Sequence, residues 1–173
     1  SVRVAIQDAS GVTVPYASAS ITVIIFTYPS GSTYSSIPPV GTLNGVADFP
    51  NLSINTAGGY TLVASATGLT SATSIAFNVI PAPAVTLIVT GIPITVTAGS
   101  SSVIVTAKDS FGNTATGYTG TIHFTSTDGA AALPGDYTFT TADPGAHTFN
   151  ATLKTAGSRS VTATDTTNGT ITG

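Results

Sequence analysis

The chain is poor in charged residues and contains no sulfur. Among its 173 residues there is no Cys, Met, Trp or Glu, and only four side chains are cationic and seven acidic. The absence of Cys excludes disulfides and Cys-ligated metal centres. Four cations are too few to neutralise a run of phosphates, which excludes nucleic acid as a partner. The lack of Glu beside abundant Thr and Val disfavours a helical protein.

The residues that are abundant indicate a folded, exported protein. Apolar residues make up 42% of the chain and the net charge is −3, so a core can be buried and disorder is not expected. Ser and Thr account for 52 residues, a surface chemistry that leads us to expect an extracellular or cell-surface location. Because residue 1 is Ser, we expect a processed or excised chain. No apolar run reaches about 18 residues, so no membrane-spanning segment is predicted.

Apolar and polar residues alternate with a period of two along much of the chain. Val2, Val4 and Ile6 alternate with more polar or smaller neighbours. The same pattern recurs at these positions: Ile21 and Val23; Tyr60, Leu62 and Ala64; Val103 and Val105; Ile122 and Phe124; Tyr137 and Phe139; Val161 and Ala163. Short runs of this kind, rich in β-branched and aromatic residues, are typical of half-buried antiparallel strands.

Turn-forming residues separate the predicted strands. Gly and Asn accept positive φ, and Asp stabilises turns through its side chain. The predicted turns contain Asp8-Ala9-Ser10-Gly11, Asn44-Gly45, Ala57-Gly58-Gly59, Asp109-Ser110-Phe111-Gly112-Asn113, Asp128-Gly129, Asp143-Pro144-Gly145 and Asn168-Gly169. Because strands recur about every 8–12 residues, the pattern predicts an all-β chain of β-sandwich type.

An internal repeat predicts two domains. At a shift of 101 residues, the first half matches the second at these pairs: Val2 and Val103, Val4 and Val105, Asp8 and Asp109, Gly11 and Gly112, Ile21 and Ile122. Farther along, residues 56–58 and 155–157 share the sequence TAG at a shift of 99. The period of about 100 residues predicts one sandwich over residues 1–81 and another over residues 84–173. Pro81-Ala82-Pro83 is predicted to be a short, stiff linker.

The two predicted domains differ at their ends. The second has a lead-in, residues 84–102, with an apparent strand at 85–89, for which the first has no counterpart. The first ends with an apparent strand at 74–79, for which the second has no counterpart. We therefore expect a first strand to be missing from one sandwich and a last strand from the other, so that sheet edges are incomplete at both chain ends. This predicts a head-to-tail series, joined either covalently or by strand addition between subunits.

Several segments resemble bacterial immunoglobulin-like repeats, which occur in tandem in secreted and surface-anchored proteins. They are VIVTAKDSFGN (residues 103–113), GYTGTIHFTS (117–126), DYTF (136–139) and LKTAG (153–157). The resemblance covers nearly all of residues 84–173 and is looser over the first half, at residues 4–11 and 45–66. It implies two tandem immunoglobulin-like β-sandwiches without disulfides and an extracellular structural or adhesive role. The family supplies no catalytic motif.

No residue pattern predicts catalysis, a cofactor or a metal site. The histidines, His123 and His147, lie in predicted strands, and alternation places His123 on the outer surface. No G-x-S-x-G motif is present and every acid lies singly in or beside a turn, so we expect no enzyme. The loop Asp109-x-x-Gly112-Asn113 only faintly resembles a calcium loop, since it lacks the further acids of such loops.

Three sequons make glycans the modification to test. They are Asn51-Leu52-Ser53, Asn150-Ala151-Thr152 and Asn168-Gly169-Thr170. The dense Ser and Thr also offer hydroxyls for O-linked sugar. Chance is the competing explanation, because a chain rich in Asn and Thr contains sequons without selection for them.

The predicted function is structural. We expect a repeat unit of an extracellular fibre, stalk or adhesin, whose partners are further copies of itself and covalent glycans. The alternative is a surface module that binds carbohydrate or a receptor. For that alternative, the irregular stretch between Tyr28 and Tyr34 is where exposed aromatic rings are expected.

Overall fold

The computed structural model describes residues 1–93 and 98–173 and divides into two compact units. Unit 1 is Ser1–Ile80 and unit 2 is Pro81–Gly173. Every regular element in the described residues is a β-strand and every pairing between strands is antiparallel, so the predicted all-β class is confirmed. Residues 94–97, part of the predicted lead-in, lie outside the described residues. The described ranges contain no helix that could cross a membrane.

Unit 1 contains seven strands in two sheets. They are β1 (Val2–Ala5), β2 (Ser20–Thr27), β3 (Val40–Gly41), β4 (Val46–Phe49), β5 (Gly58–Ser65), β6 (Ala72–Thr73) and β7 (Phe77–Val79). One sheet pairs β1 with β4, from Val2 opposite Phe49 to Ala5 opposite Val46. The other has the order β3-β2-β5-β6, and β7 pairs with the other end of β5.

Over residues 81–93 and 98–173, unit 2 contains six strands in two sheets of three. They are β8 (Thr86–Thr90), β9 (Gly99–Lys108), β10 (Thr121–Ser126), β11 (Tyr137–Thr138), β12 (Ala146–Leu153) and β13 (Val161–Asp165). The sheet orders are β12-β9-β8 and β11-β10-β13. The chain end continues the second sheet, since the N–H groups of Ala163 and Gly173 each donate to the other residue's carbonyl at 2.8 and 3.0 Å.

The predicted alternation is confirmed by burial. In unit 2 the inward residues of both sheets form one cluster, which includes Leu87, Val105, Ile122 and Phe149. In unit 1 the cluster is smaller and centres on Ile21, Val23, Tyr60 and Leu62. His123 is exposed, as the alternation predicts.

The turn predicted at Asn44-Gly45 is a two-residue hairpin loop. Both residues have positive φ, 51° and 76°, which is the requirement of the hairpin turn that favours the Asn-Gly sequence. Leu43 and Val46 close the loop with mutual backbone hydrogen bonds of 2.8 and 3.1 Å.

The last strand of unit 1 is shorter than predicted. The sequence predicts a strand over residues 74–79, and the structure has β7 at Phe77–Val79. Ser74 interrupts the pairing, because its Oγ accepts the Leu62 N–H at 2.9 Å and donates to the Ile75 carbonyl at 2.8 Å. A side chain that takes a ladder hydrogen bond competes with regular strand pairing.

Candidate functional site

Asp8 and Asp109 organise matching loops after β1 and β9. Asp8 Oδ1 accepts the backbone N–H groups two and four residues later, at 2.9 and 3.0 Å. Asp109 Oδ1 does the same at 2.9 and 2.8 Å. Its Oδ2 also accepts the Ala82 N–H and the Asn113 side-chain amide. The predicted role of Asp8 and Asp109 as turn residues is confirmed. In the loop that faintly resembles a calcium loop, both carboxylate oxygens of Asp109 accept hydrogen bonds from N–H groups.

Asp128 and Asp143 are buried acceptors with several donors each. Asp128 ties its own turn to a distant one, because it accepts the N–H groups of Ala130, Lys154 and Thr155. These hydrogen bonds, that of the Thr155 N–H foremost, hold the pKa of Asp128 well below its usual range. The Thr140 N–H is the main cause that lowers the pKa of Asp143 to about 2.

His147 joins Asp143 and Tyr137 in a half-buried polar cluster. Its Nδ1 lies 2.6 Å from Asp143 Oδ1 and 3.1 Å from the Tyr137 hydroxyl. The ring stacks on Tyr137 with centroids 4.2 Å apart. The Tyr137 hydroxyl also donates to Asp143 at 3.0 Å. These contacts tie β11 to β12, which is a structural use of the groups.

Tyr118 and Asp165 form a second buried polar pair. The Tyr118 hydroxyl donates to Asp165 Oδ2 at 2.6 Å. Burial, with this hydrogen bond, raises the pKa of Tyr118 well above its usual range. A Cβ on Gly120 would collide with both partners, so the pair requires glycine at this position. Among residues 1–93 and 98–173, no three of His, Cys, Asp or Glu come together as a metal group.

Acidic pH is expected to destabilise unit 2 more than unit 1. Burial raises the pKa of Asp109 and Asp165, but their hydrogen bonds outweigh it and leave both pKa values lowered, as for Asp128 and Asp143. A lowered folded-state pKa contributes stability above the unfolded value of about 3.9, and that stability is lost as pH falls from about 4 to about 2. Denaturant midpoints measured across this range, with hydrogen exchange assigning each transition to a unit, test the prediction.

The equivalent loops supply the matched control for the pH experiment. Asp109→Asn removes one titrating group from unit 2 and should flatten its pH dependence. Asp8→Asn changes the corresponding exposed residue of unit 1 and should leave the unit 2 profile unchanged. Equal acid sensitivity of the two units would contradict the prediction.

All three sequon asparagines are exposed. Asn51 lies in a turn, Asn150 lies on the outer face of β12, and Asn168 lies after β13. Asn168 Oδ1 accepts the backbone N–H and the hydroxyl of Thr170 at 3.2 and 2.7 Å. The asparagines are therefore accessible in the folded chain, and glycan attachment stays a prediction.

Tyr28 and Tyr34 form an exposed aromatic pair. The rings meet edge to face with centroids 6.2 Å apart, and the residues are 51% and 45% exposed. The loop between them is held at Ser32, whose Oγ donates to the Pro29 carbonyl at 2.6 Å and lies 2.9 Å from the Tyr60 hydroxyl. The predicted exposure of aromatic rings here is confirmed.

A concavity of unit 1 lies beside β1. A cleft of about 400 Å³ is lined by residues of β1, β2, β5 and the loop after β5, including Val4, Ile6, Ile21 and Ala64. A second recess of about 220 Å³ adjoins β1 near Val2 and reaches Ser74. The sequence predicted an incomplete sheet edge but not this cleft. The sequence feature that could have indicated the cleft is the inward series Val2, Val4 and Ile6, which no strand precedes in unit 1.

Comparison of the chain with protein-family models, curated proteins and solved structures gave no match.

Proposed function

We propose that the chain is a structural repeat unit of an extracellular fibre, stalk or adhesin, built from two immunoglobulin-like β-sandwiches. The observation that carries the proposal is a set of equivalent contacts in both units. Ile6 and Ala107 occupy equivalent positions; their N–H groups donate to the Gly45 and Gly145 carbonyls, both at 2.8 Å. Their own carbonyls accept the N–H groups of Val14 and Ala115, both at 2.9 Å.

Repetition of this kind favours an architectural role. Each unit has its own core cluster, and a tandem array of such units extends by adding more of them. The buried acids and His147 are engaged in contacts that hold loops and strands together. With eleven charged side chains in 173 residues, there is little electrostatic repulsion to oppose close contact between copies.

Electron microscopy of the native material, paired with intact-mass analysis, tests the structural role. The expected result is filaments or stalks whose axial repeat spans about two domains, because the chain contains two units. Added mass in hexose steps would support glycans at Asn51, Asn150 or Asn168. Monodisperse particles of 17.1 kDa would contradict the fibre.

A binding module is the second candidate, and the Tyr28–Tyr34 pair favours it. Exposed aromatic rings can stack on sugar rings, and aromatic pairs, at about 0.5–1.5 kcal/mol each, set the scale for such a contact. Tyr28→Ala with Tyr34→Ala should then weaken glycan-array binding about tenfold. Tyr16→Ala is the matched control, because Tyr16 is 96% exposed. Binding that survives the double substitution, or falls equally in the control, would contradict this site.

A further inference from the structure

One edge of β1 pairs with β4, and the other edge faces the cleft. No strand of unit 1, which the structure describes in full, pairs with this second edge. The Ile6 N–H donates to the carbonyl of Gly45, the residue before β4. The register of β1 with β4 pairs Val4 with Ala47 and Val2 with Phe49. Antiparallel pairing alternates, so the N–H and C=O groups of Arg3 and Ala5 point away from β4. These unpaired groups, beside a cleft whose lining includes Val4, Ile6 and Ile21, make this edge able to accept another strand.

Unit 2 shows what occupies the equivalent edge. There β8 pairs antiparallel with β9, so that Ile88 lies opposite Thr106 and Thr90 opposite Ile104. At the repeat shift of 101 residues, Thr106 and Ile104 are the equivalents of Ala5 and Arg3. The groups left open in unit 1 are therefore on the edge that β8 covers in unit 2.

Leu87 of β8 fills the core position that corresponds to the cleft. It is 0% exposed and belongs to the cluster formed by Val105, Ala107, Ile122 and Ala163. The equivalents of those four residues, by the repeat, line the cleft in unit 1: Val4, Ile6, Ile21 and Ala64. Val105 and Ala107 are fully buried, whereas Val4 and Ile6 remain partly exposed.

We propose that the cleft beside β1 binds an extended polypeptide strand with the pattern of β8, supplied by a neighbouring repeat unit. This rests on the proposed structural function and names the contact that would join consecutive units. The strand would pair antiparallel with β1 through Arg3 and Ala5. It would place one large aliphatic side chain opposite Ile6, as Leu87 lies opposite Ala107.

The chain itself shows why the donor is a neighbouring unit. In unit 2 the covering strand comes from the segment that directly follows unit 1: β7 ends at Val79 and β8 begins at Thr86. One connecting segment thus carries the strand β7 of one unit and the strand β8 of the next. By the same arrangement, the strand for unit 1 belongs to the connecting segment of another unit. The cleft lining also includes the aliphatic side chains of Val4, Ile6 and Ile21, against which an aliphatic side chain of the strand could pack.

A tethered strand tests the proposal in the full chain. Residues 84–90 are placed before Ser1 and joined to it by a flexible Gly-Ser linker. The linker has the length of residues 91–101, which lie between Thr90 and Ser102, the equivalent of Ser1. We expect hydrogen exchange of the Arg3 and Ala5 amides to slow about tenfold or more, because they become paired. We also expect the denaturation midpoint of unit 1 to rise, while unit 2 keeps its own midpoint.

The matched control carries Leu87→Asp in the added copy only, leaving the original β8 intact. It should give no protection, because a carboxylate would be buried against the aliphatic side chains of Val4, Ile6 and Ile21. Unslowed exchange with the unaltered strand, or equal slowing with the control strand, would overturn the proposal. Filaments in the native material together with an unfilled cleft would reject the strand contact and leave the structural function standing. A filled cleft with only monodisperse native particles would reject the fibre and leave the strand site standing.

Discussion

Replacing Leu87 by alanine is expected to destabilise unit 2 by about 2–5 kcal/mol, the range for removing a large aliphatic side chain from a packed core. Leu87 is 0% exposed and lies among Val105, Ala107 and Ile122. The substitution keeps the backbone of β8 paired with β9 but removes the side chain that fills the space between the sheets. Urea unfolding, with hydrogen exchange assigning each transition to a unit, measures the loss.

The neighbouring residue provides the control for Leu87. Ile88 lies on the same strand but is 44% exposed, so Ile88→Ala should cost about 0.5 kcal/mol or less, as is usual for surface positions. Unit 1 should keep its transition in both variants. Equal losses at the two positions would mean that strand pairing, rather than the buried side chain, stabilises this edge.

The Leu87 prediction also bears on the open cleft of unit 1. If the buried side chain carries most of the contribution of β8, then unit 1 lacks a contribution of similar size until a strand covers it. Unit 1 also has fewer fully buried residues, since Val2, Val4 and Ile6 are partly exposed where Val103, Val105 and Ala107 are fully buried. We therefore expect unit 1 to be the less stable unit in the isolated chain.

Local chemistry explains how much of the fold could be predicted. Alternation identifies inward residues such as Ile122 and Phe124, because the period of two follows from strand geometry alone. Asn44-Gly45 identifies a turn, because few sequences accept two positive φ values. Both signals depend on neighbouring residues and need no knowledge of the tertiary structure.

Contacts between distant segments could not be predicted in the same way. Asp128 was predicted as a turn residue, and its N–H partners include Lys154 and Thr155, from a turn far along the chain. Gly120 carries no turn signal, yet the Tyr118–Asp165 pair requires it. The cleft depends on which strands become neighbours in the folded chain. The repeat indicated the position of the cleft only indirectly, because it showed that unit 1 lacks a counterpart of β8.

Glycine at the two equivalent turns Gly45 and Gly145 should be among the least replaceable residues of the chain. Their φ values are 76° and 79°, and an added Cβ would collide with the backbone carbonyl of Val14 or Ala115. Positive φ costs an alanine about 1–2 kcal/mol. The collision adds to this cost because the carbonyl belongs to the backbone and is held by a hydrogen bond, from the Ala17 N–H to Val14 and from the Tyr118 N–H to Ala115. We expect Gly45→Ala to destabilise unit 1, and Gly145→Ala unit 2, by about 3 kcal/mol or more.

Gly11 and Gly112 separate the two causes of that loss. They also occupy equivalent positions, with φ of 80° and 84°, but an added Cβ would meet nothing within 4 Å. Gly11→Ala and Gly112→Ala should therefore show only the cost of positive φ, about 1–2 kcal/mol. Unit 1 contains Gly11 and Gly45, and unit 2 contains Gly112 and Gly145. Denaturant unfolding of the four variants therefore measures the cost of the collision once in each unit, as the difference between the two losses. Equal losses at Gly11 and Gly45 would mean that the carbonyl contact relaxes without cost, and the equivalence of the two turns would then reflect backbone conformation alone.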